Sequence, residues 1–211
     1  YTPRLDFPLP AVYPGKTTIK ETYEINCENF TETFSEGDIV SISNNRKKIV
    51  EFLSVNAKQN TILVTEQCDN LCSFCSQPPN NNPDTHLYIN AAHAIINFDT
   101  KSVVRISGGE PLLNKKKFLA FQEFLNQAGS KTPLHILTNG RAFKDIDFCN
   151  EVIEKAKTRD ILWGIPLHGH NQKLHDQCVS MPSAFVDTMQ GLMNLSYAGQ
   201  KIELRTVVTK D

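Results

Sequence analysis

Cysteines stand at positions 68, 72 and 75, a Cys-x-x-x-Cys-x-x-Cys run that opens directly after the apolar stretch Ile62-Leu63-Val64-Thr65. Two unequal gaps bring three thiolates onto one tight loop and supply no fourth. A structural zinc site is closed by four ligands, usually arriving as close pairs. A cluster of four irons held by three thiolates keeps one iron free to bind something other than protein, and that iron is where chemistry could occur. Three plainer readings stand beside it: zinc completed by a distant histidine such as His86 or His93, a disulfide framework, or chance. Six cysteines in 211 residues is not the density of a disulfide-stapled secreted chain.

A second motif, Ser107-Gly108-Gly109-Glu110-Pro111, follows the strand-like Val103-Val104-Arg105-Ile106 one βα unit later. Glycines let a backbone approach a ligand closely, and a carboxylate pairs with an ammonium. With Phe74 just ahead of the third cysteine, the two motifs resemble the radical S-adenosylmethionine (radical SAM) superfamily. That resemblance implies that Cys68, Cys72 and Cys75 ligate a [4Fe–4S] cluster whose open iron chelates S-adenosylmethionine. Gly108, Gly109 and Glu110 then form the turn against its methionine amino group. Reductive cleavage of the sulfonium would yield a 5′-deoxyadenosyl radical that abstracts hydrogen from a substrate.

The elements around these motifs are expected to alternate. Strand-like runs at 61–65, 102–107, 133–138, 161–167 and 201–208 are separated by helical stretches near 85–98, 115–128, 145–157 and 183–197. Phe118, Phe121, Leu125 and Ala128 recur at helical spacing, as do Ile146, Cys149, Ile153 and Ala156. Asp84 or Thr85 is a candidate cap for the first helix and Ser183 for the last. This rhythm predicts right-handed βαβ units and a parallel sheet. The fold class is α/β, and the resemblance specifies a partial (β/α) barrel over residues 59–211. Only five strands are visible, so the chain is expected to stop short of the sixth strand such barrels carry. It also begins at Tyr1 rather than Met, as a processed piece, an engineered segment or part of a longer protein would.

Residues 1–58 read as a small β-rich extension. Pro3, Pro8, Pro10 and Pro14 keep its start extended or irregular. Apolar residues at Ile39, Val40 and Ile42, then Ile49, Phe52, Leu53 and Val55, flank the turn Ser43-Asn44-Asn45-Arg46 and predict a hairpin. It could simply pack on the barrel, or grip a peptide or partner at a sheet edge.

In a parallel barrel the chemistry lies at the C-terminal ends of the strands. Those ends carry the cysteine loop, Gly108-Gly109-Glu110, Thr138-Asn139-Gly140, His168-Gly169-His170, and Arg205 followed by Thr209. By resemblance, Asn139, His168 and Arg205 are candidates for holding the ribose hydroxyls and carboxylate of S-adenosylmethionine, and Phe74 joins them as a cofactor-binding residue. Asn139-Gly140 could equally be an ordinary turn, and Arg205, if buried, needs a carboxylate partner of some kind. His168, His170, His175 and Cys178 match no recognised ligand spacing, and the resemblance implies that the pair His175-Asp176 shapes its turn. Cys27 and Cys178 are scattered, and Cys149 belongs to an apolar helix face.

Within the superfamily, Thr65-Glu66-Gln67-Cys68-Asp69-Asn70, Cys75-Ser76-Gln77-Pro78-Pro79 and His175-Asp176 are most similar to the peptide maturases of bacterial His-Xaa-Ser repeat systems. That implies a ribosomally made precursor peptide as substrate and an electron donor such as a flavodoxin or ferredoxin. A small-molecule substrate, or a non-catalytic module holding iron–sulfur or zinc, remains open on the residues alone. Composition narrows the partners. A net charge of −1, from 22 basic and 23 acidic residues, gives no reason to expect nucleic acid. No apolar run approaches the ~18 residues of a membrane span, and thiolates that ligate iron suit the reducing cytoplasm.

Overall fold

A computed structural model describes residues 34–43, 48–98 and 101–208. The prolines at 3, 8, 10 and 14, Cys27, the turn residues Asn44–Arg46 and Thr209 lie outside them.

Two strands, β1 (Ile39–Ser43) and β2 (Lys48–Leu53), pair antiparallel as the expected hairpin. It is tied to the rest of the chain by a side chain. Asn60 Oδ1 accepts from Ser54 N–H (2.8 Å) while Asn60 Nδ2 donates to Ser54 O (2.9 Å). Leu53 carries the hairpin into the common core, with Ile39 and Val55 packed beside it.

The remaining strands are β3 (Asn60–Leu63), β4 (Val104–Ser107), β5 (Leu134–Leu137), β6 (Ile161–Pro166) and β7 (Lys201–Arg205). They form one five-stranded sheet in sequence order, parallel at every step. The crossovers are α1 (Thr85–Asn97), α2 (Lys115–Gln127), α3 (Ile146–Ala156), α4 (Gln172–Val179) and α5 (Ala184–Tyr197). This is the mixed α/β architecture of a partial barrel.

Period-two alternation divides each strand between two faces. Ile62, Val104, Ile106, Leu134, Ile136, Ile161, Trp163 and Ile165 are buried. They share one core with the helix residues Phe118, Phe121, Leu125, Cys149, Val152 and Leu195. Burying such side chains, at about 1.5–3 kcal/mol each, is what closes the helices over the sheet. The other face is concave and more polar, and its residues fall into rows. Thr61, Arg105, His135, Leu162 and Lys201 are successive cross-strand partners, and so are Leu63 with Ser107, then Leu137, Gly164 and Glu203. Gly164 belongs there because a Cβ would come within 2.7 Å of His135 Nε2 and 2.8 Å of the Leu137 side chain.

Two helix starts differ from expectation. Asn114 and Asp145 cap α2 and α3 by accepting from Lys117 and Phe148 N–H, but Asp84 and Ser183 make no side-chain cap bond. Ser183 is left-handed (φ 63°), and Asp176 instead accepts from Ser183 and Phe185 N–H (2.7 and 2.8 Å). The expected loop through His175 also contains an eight-residue helix, α4, capped by Asn171.

Candidate active site

The cysteine loop leaves β3 and stays bonded to the segment leaving β4. Gly109 N–H donates to Thr65 O (2.8 Å) and Glu110 N–H to Gln67 O (2.7 Å), so the ladder continues past the strand ends. A Cβ on Gly108 would stand 2.6 Å from Thr65 O, and one on Gly109 2.2 Å from Gln67 O. The glycines are therefore required first by chain packing on chain, rather than by approach of a ligand. Asp84 completes the foot of the loop, accepting from Thr65 Oγ1 and from Glu66 N–H (2.9 Å), which explains why its carboxylate does not cap α1.

Beyond Cys68 the loop is pinned from β5. Arg141 Nη1 donates to Asp69 Oδ2 and Asn70 Oδ1, both at 2.9 Å, and Nη2 lies 3.4 Å from Asp187 of α5. Asn139 Nδ2 donates to Asp69 Oδ1 (2.8 Å). The far half of the loop is held mainly by backbone, with Leu71 N–H on Val179 O (2.9 Å) and Ser73 N–H on Cys178 O (3.0 Å), the latter oxygen also accepting from Ser73 Oγ (3.4 Å).

Cys68, Cys72 and Cys75 line one pocket of about 190 Å³, together with Ser107, Gly108, Gly109, Glu110, Asn139 and Arg205. Burial pushes the Cys68 thiol up to about 12, and burial followed by the neighbouring Cys75 raises Cys72. These thiols keep their protons until a cation displaces them, as metal ligands do. Among the described residues no three His, Cys, Asp or Glu side chains converge as if to share a single ion. Three thiols on one pocket suit a cluster that keeps one iron open, whereas a structural zinc is closed by four ligands. His86 is exposed and His93 packs edge-on against Phe124 (5.3 Å); neither lines the cysteine pocket.

Glu110 is 2% exposed. Its Oε1 accepts from Thr138 Oγ1 (2.6 Å) and Leu112 N–H (2.8 Å), and its Oε2 from Asn139 N–H (2.6 Å). Burial outweighs these donors and lifts the carboxyl to about 7. A carboxylate has roughly four acceptor positions, so one remains for a ligand.

The other candidates spread out. Asn139 and Arg205 face the pocket, whereas His168 and Phe74 do not line it. They contact each other edge-on with ring centroids 4.6 Å apart. His168 Nδ1 accepts from Val207 N–H (3.4 Å), and its backbone N–H donates to His175 Nδ1 (3.1 Å). His175 and Asp176 thus act inside the turn, the first on His168 and the second on α5. Arg205 is not buried: its side chain is 41% exposed and pairs with Glu203 at 3.3 Å. Sequence reasoning missed Asp69, Asn70, Asp84, Thr138 and Arg141. Polar residues flanking Cys68 and Asn139 were the available signal.

The family described as the radical SAM superfamily matches residues 62–210. The uncharacterized protein MJ0907 of Methanocaldococcus jannaschii is 29% identical over 152 residues, 69% of this chain and 51% of that protein. Streptococcus suis SuiB, solved bound to S-adenosylmethionine, superposes with a TM-score of 0.50 at 21% identity, over 72% of this chain and 34% of SuiB. The structure of native anSMEcpe with bound AdoMet and Kp18Cys peptide gives 0.50 at 16% identity, over 68% of this chain and 41% of that one. The structural likenesses concern the fold. The chain spans about half the length of the curated relative it matches.

Proposed function

Because this chain belongs to the radical SAM superfamily, whose cofactors are a [4Fe–4S] cluster and S-adenosylmethionine, we propose that it abstracts hydrogen from a ribosomally made precursor peptide. The observation that carries the reading is the single pocket shared by Cys68, Cys72, Cys75 and the Gly108-Gly109-Glu110 turn at the C-terminal edge of the sheet. Bound together, the two cofactors supply a one-electron reductive cleavage whose product takes hydrogen from an unactivated carbon.

The protein binds, orients and excludes water. Cys68, Cys72 and Cys75 hold the cluster. The spare acceptor position of Glu110 takes the methionine ammonium, and the exposed fork of Arg205 takes the carboxylate. Asn139 serves the ribose side, and Phe74 packs beside the last cysteine against His168. An electron donor such as a flavodoxin or ferredoxin completes the system.

Peptide over small molecule rests on two supports. The strings Thr65-Glu66-Gln67-Cys68-Asp69-Asn70, Cys75-Ser76-Gln77-Pro78-Pro79 and His175-Asp176 resemble those of peptide maturases of His-Xaa-Ser systems, and anSMEcpe of similar fold was solved with a peptide. The test is anaerobic reconstitution with iron and sulfide, then reduction with dithionite in the presence of S-adenosylmethionine and deuterated candidate peptides. Formation of 5′-deoxyadenosine that carries deuterium supports the reading. Formation of 5′-deoxyadenosine with deuterium arriving only from small molecules would overturn the peptide substrate, and a colourless zinc protein would overturn the enzyme.

A further inference from the structure

The opposite end of the sheet holds a larger cavity that the cofactor chemistry leaves unexplained. It measures about 470 Å³ and lies among the N-terminal ends of the strands, lined by Lys58, Gln59, Arg105, His135, Leu162 and Lys201. Arg105, His135, Leu162 and Lys201 belong to a single cross-strand row of the concave face. The charges in it do not balance. Lys201 is matched by Asp160, which also lines the cavity, at 2.7 and 2.9 Å. Glu203, one row up, is engaged by Arg205 at 3.3 Å and lies 2.8 Å from His135 Nε2. Arg105 donates from Nη1 to the neutral Gln59 Oε1 (3.0 Å), and its Nε is buried with no partner. Among the described residues no carboxylate lies within ion-pair distance of Arg105 or Lys58.

A half-buried guanidinium whose Nε is buried and unpaired is a site for a planar oxyanion. We propose that this cavity binds a carboxylate of the peptide substrate, with Arg105 as the anchor and Lys58 at the rim. This inference rests on the peptide reading above and adds an anchor to it. Gly109 follows Arg105 by four residues, the last two beyond the end of β4, about 13 Å at most for an extended chain. A carboxylate seated at Arg105 therefore leaves room for roughly four extended residues between it and the Gly109 turn. Ser107, Leu137 and Gly164, the next row up from Arg105 with Glu203 beside them, already line the cysteine pocket, so the two cavities are one row apart.

Binding is read without turnover, on cluster-reconstituted protein, by following the Arg105 Nε–H resonance while titrating N-acetyl-tetraalanine, the same peptide as its C-terminal amide, or inorganic phosphate. The free-carboxylate peptide should shift the resonance, the amide should bind about tenfold or more weakly, and Arg105→Gln should weaken the carboxylate peptide by about the same factor. Arg105→Lys should lose less, and matched melting temperatures would show that both variants fold. Equal binding of acid and amide, phosphate binding tighter than the peptide, or carboxylate binding unchanged in Arg105→Gln would each overturn the proposal. If 5′-deoxyadenosine forms normally while no carboxylate binds, the anchor fails and the enzyme reading stands. Carboxylate binding in a protein that assembles no cluster would sink the enzyme reading instead.

Discussion

The two walls of the cysteine pocket are built differently. On the wall formed by β3, β4 and β5, nearly every polar group is spent on the protein itself: Glu110 on Thr138, Leu112 and Asn139, Asn139 and Arg141 on Asp69, Asp84 on Thr65 and Glu66. On the wall formed by β6 and β7, Arg205 is half exposed, Gly164 makes room for the His135 and Leu137 side chains, and most of β7 is open to solvent. The first wall fixes where the cysteine loop sits. The second retains groups free to meet a ligand. Changes to the first should cost stability and cluster content together, whereas changes to the second should cost ligand binding alone.

Gly109→Ala is the harshest test of that contrast. Its Cβ meets backbone that cannot step aside, so the variant should lose cluster iron almost entirely and unfold at lower denaturant, by about 2 kcal/mol or more. Gly164→Ala on the opposite wall meets only side-chain atoms and should keep its iron. Comparable losses of iron in the two would erase the distinction.

Arg141→Gln comes next. It strips a largely buried partner from Asp69 and Asp187, at a cost of about 1–3 kcal/mol, and should lower iron retention per chain, as measured by iron and sulfide assay.

Glu110→Gln separates wall from ligand by pH. An amide would turn its NH₂ toward one of the backbone donors, so the variant should be less stable. The direction of the pH effect is fixed by burial, which raises the carboxyl from 4.5 to about 7. The folded chain then holds a proton that the unfolded chain gives up. Stability from this group is complete below about pH 4.5 and is lost as pH rises through 7. The advantage of wild type over Glu110→Gln should therefore shrink between pH 5 and pH 8, by about 1–3 kcal/mol, in chemical denaturation.

Arg205→Ala should move stability by less than about 0.5 kcal/mol yet weaken S-adenosylmethionine binding about tenfold. A large stability loss would return Arg205 to a structural role.

How legible this was depended on where the information lay. The strands and four of the helices follow from apolar spacing, because core contact writes itself into sequence at fixed periods. Helix α4 escaped because one of its buried residues is His175, paired by one helical turn with Val179, and a buried histidine does not read as apolar. Asp84 looked like a cap and proved to be the lock on Thr65, a partner 19 positions away. Arg141 and Asp69 are 72 apart, and nothing local announces such a pair. The cysteines and Gly108-Gly109-Glu110 were legible as a site, but the reason for the glycines was not: they make room for the cysteine loop. Arg205 could have been a buried ion pair or a ligand contact, and the open edge of β7 leaves it half in solvent beside Glu203.

The most direct test of the central claim is electron paramagnetic resonance of the dithionite-reduced, reconstituted protein before and after addition of S-adenosylmethionine. A [4Fe–4S] cluster with an open iron should give a signal that shifts when S-adenosylmethionine is added and disappears in Cys72→Ala. A signal unmoved by S-adenosylmethionine, or a silent protein carrying stoichiometric zinc, would contradict it.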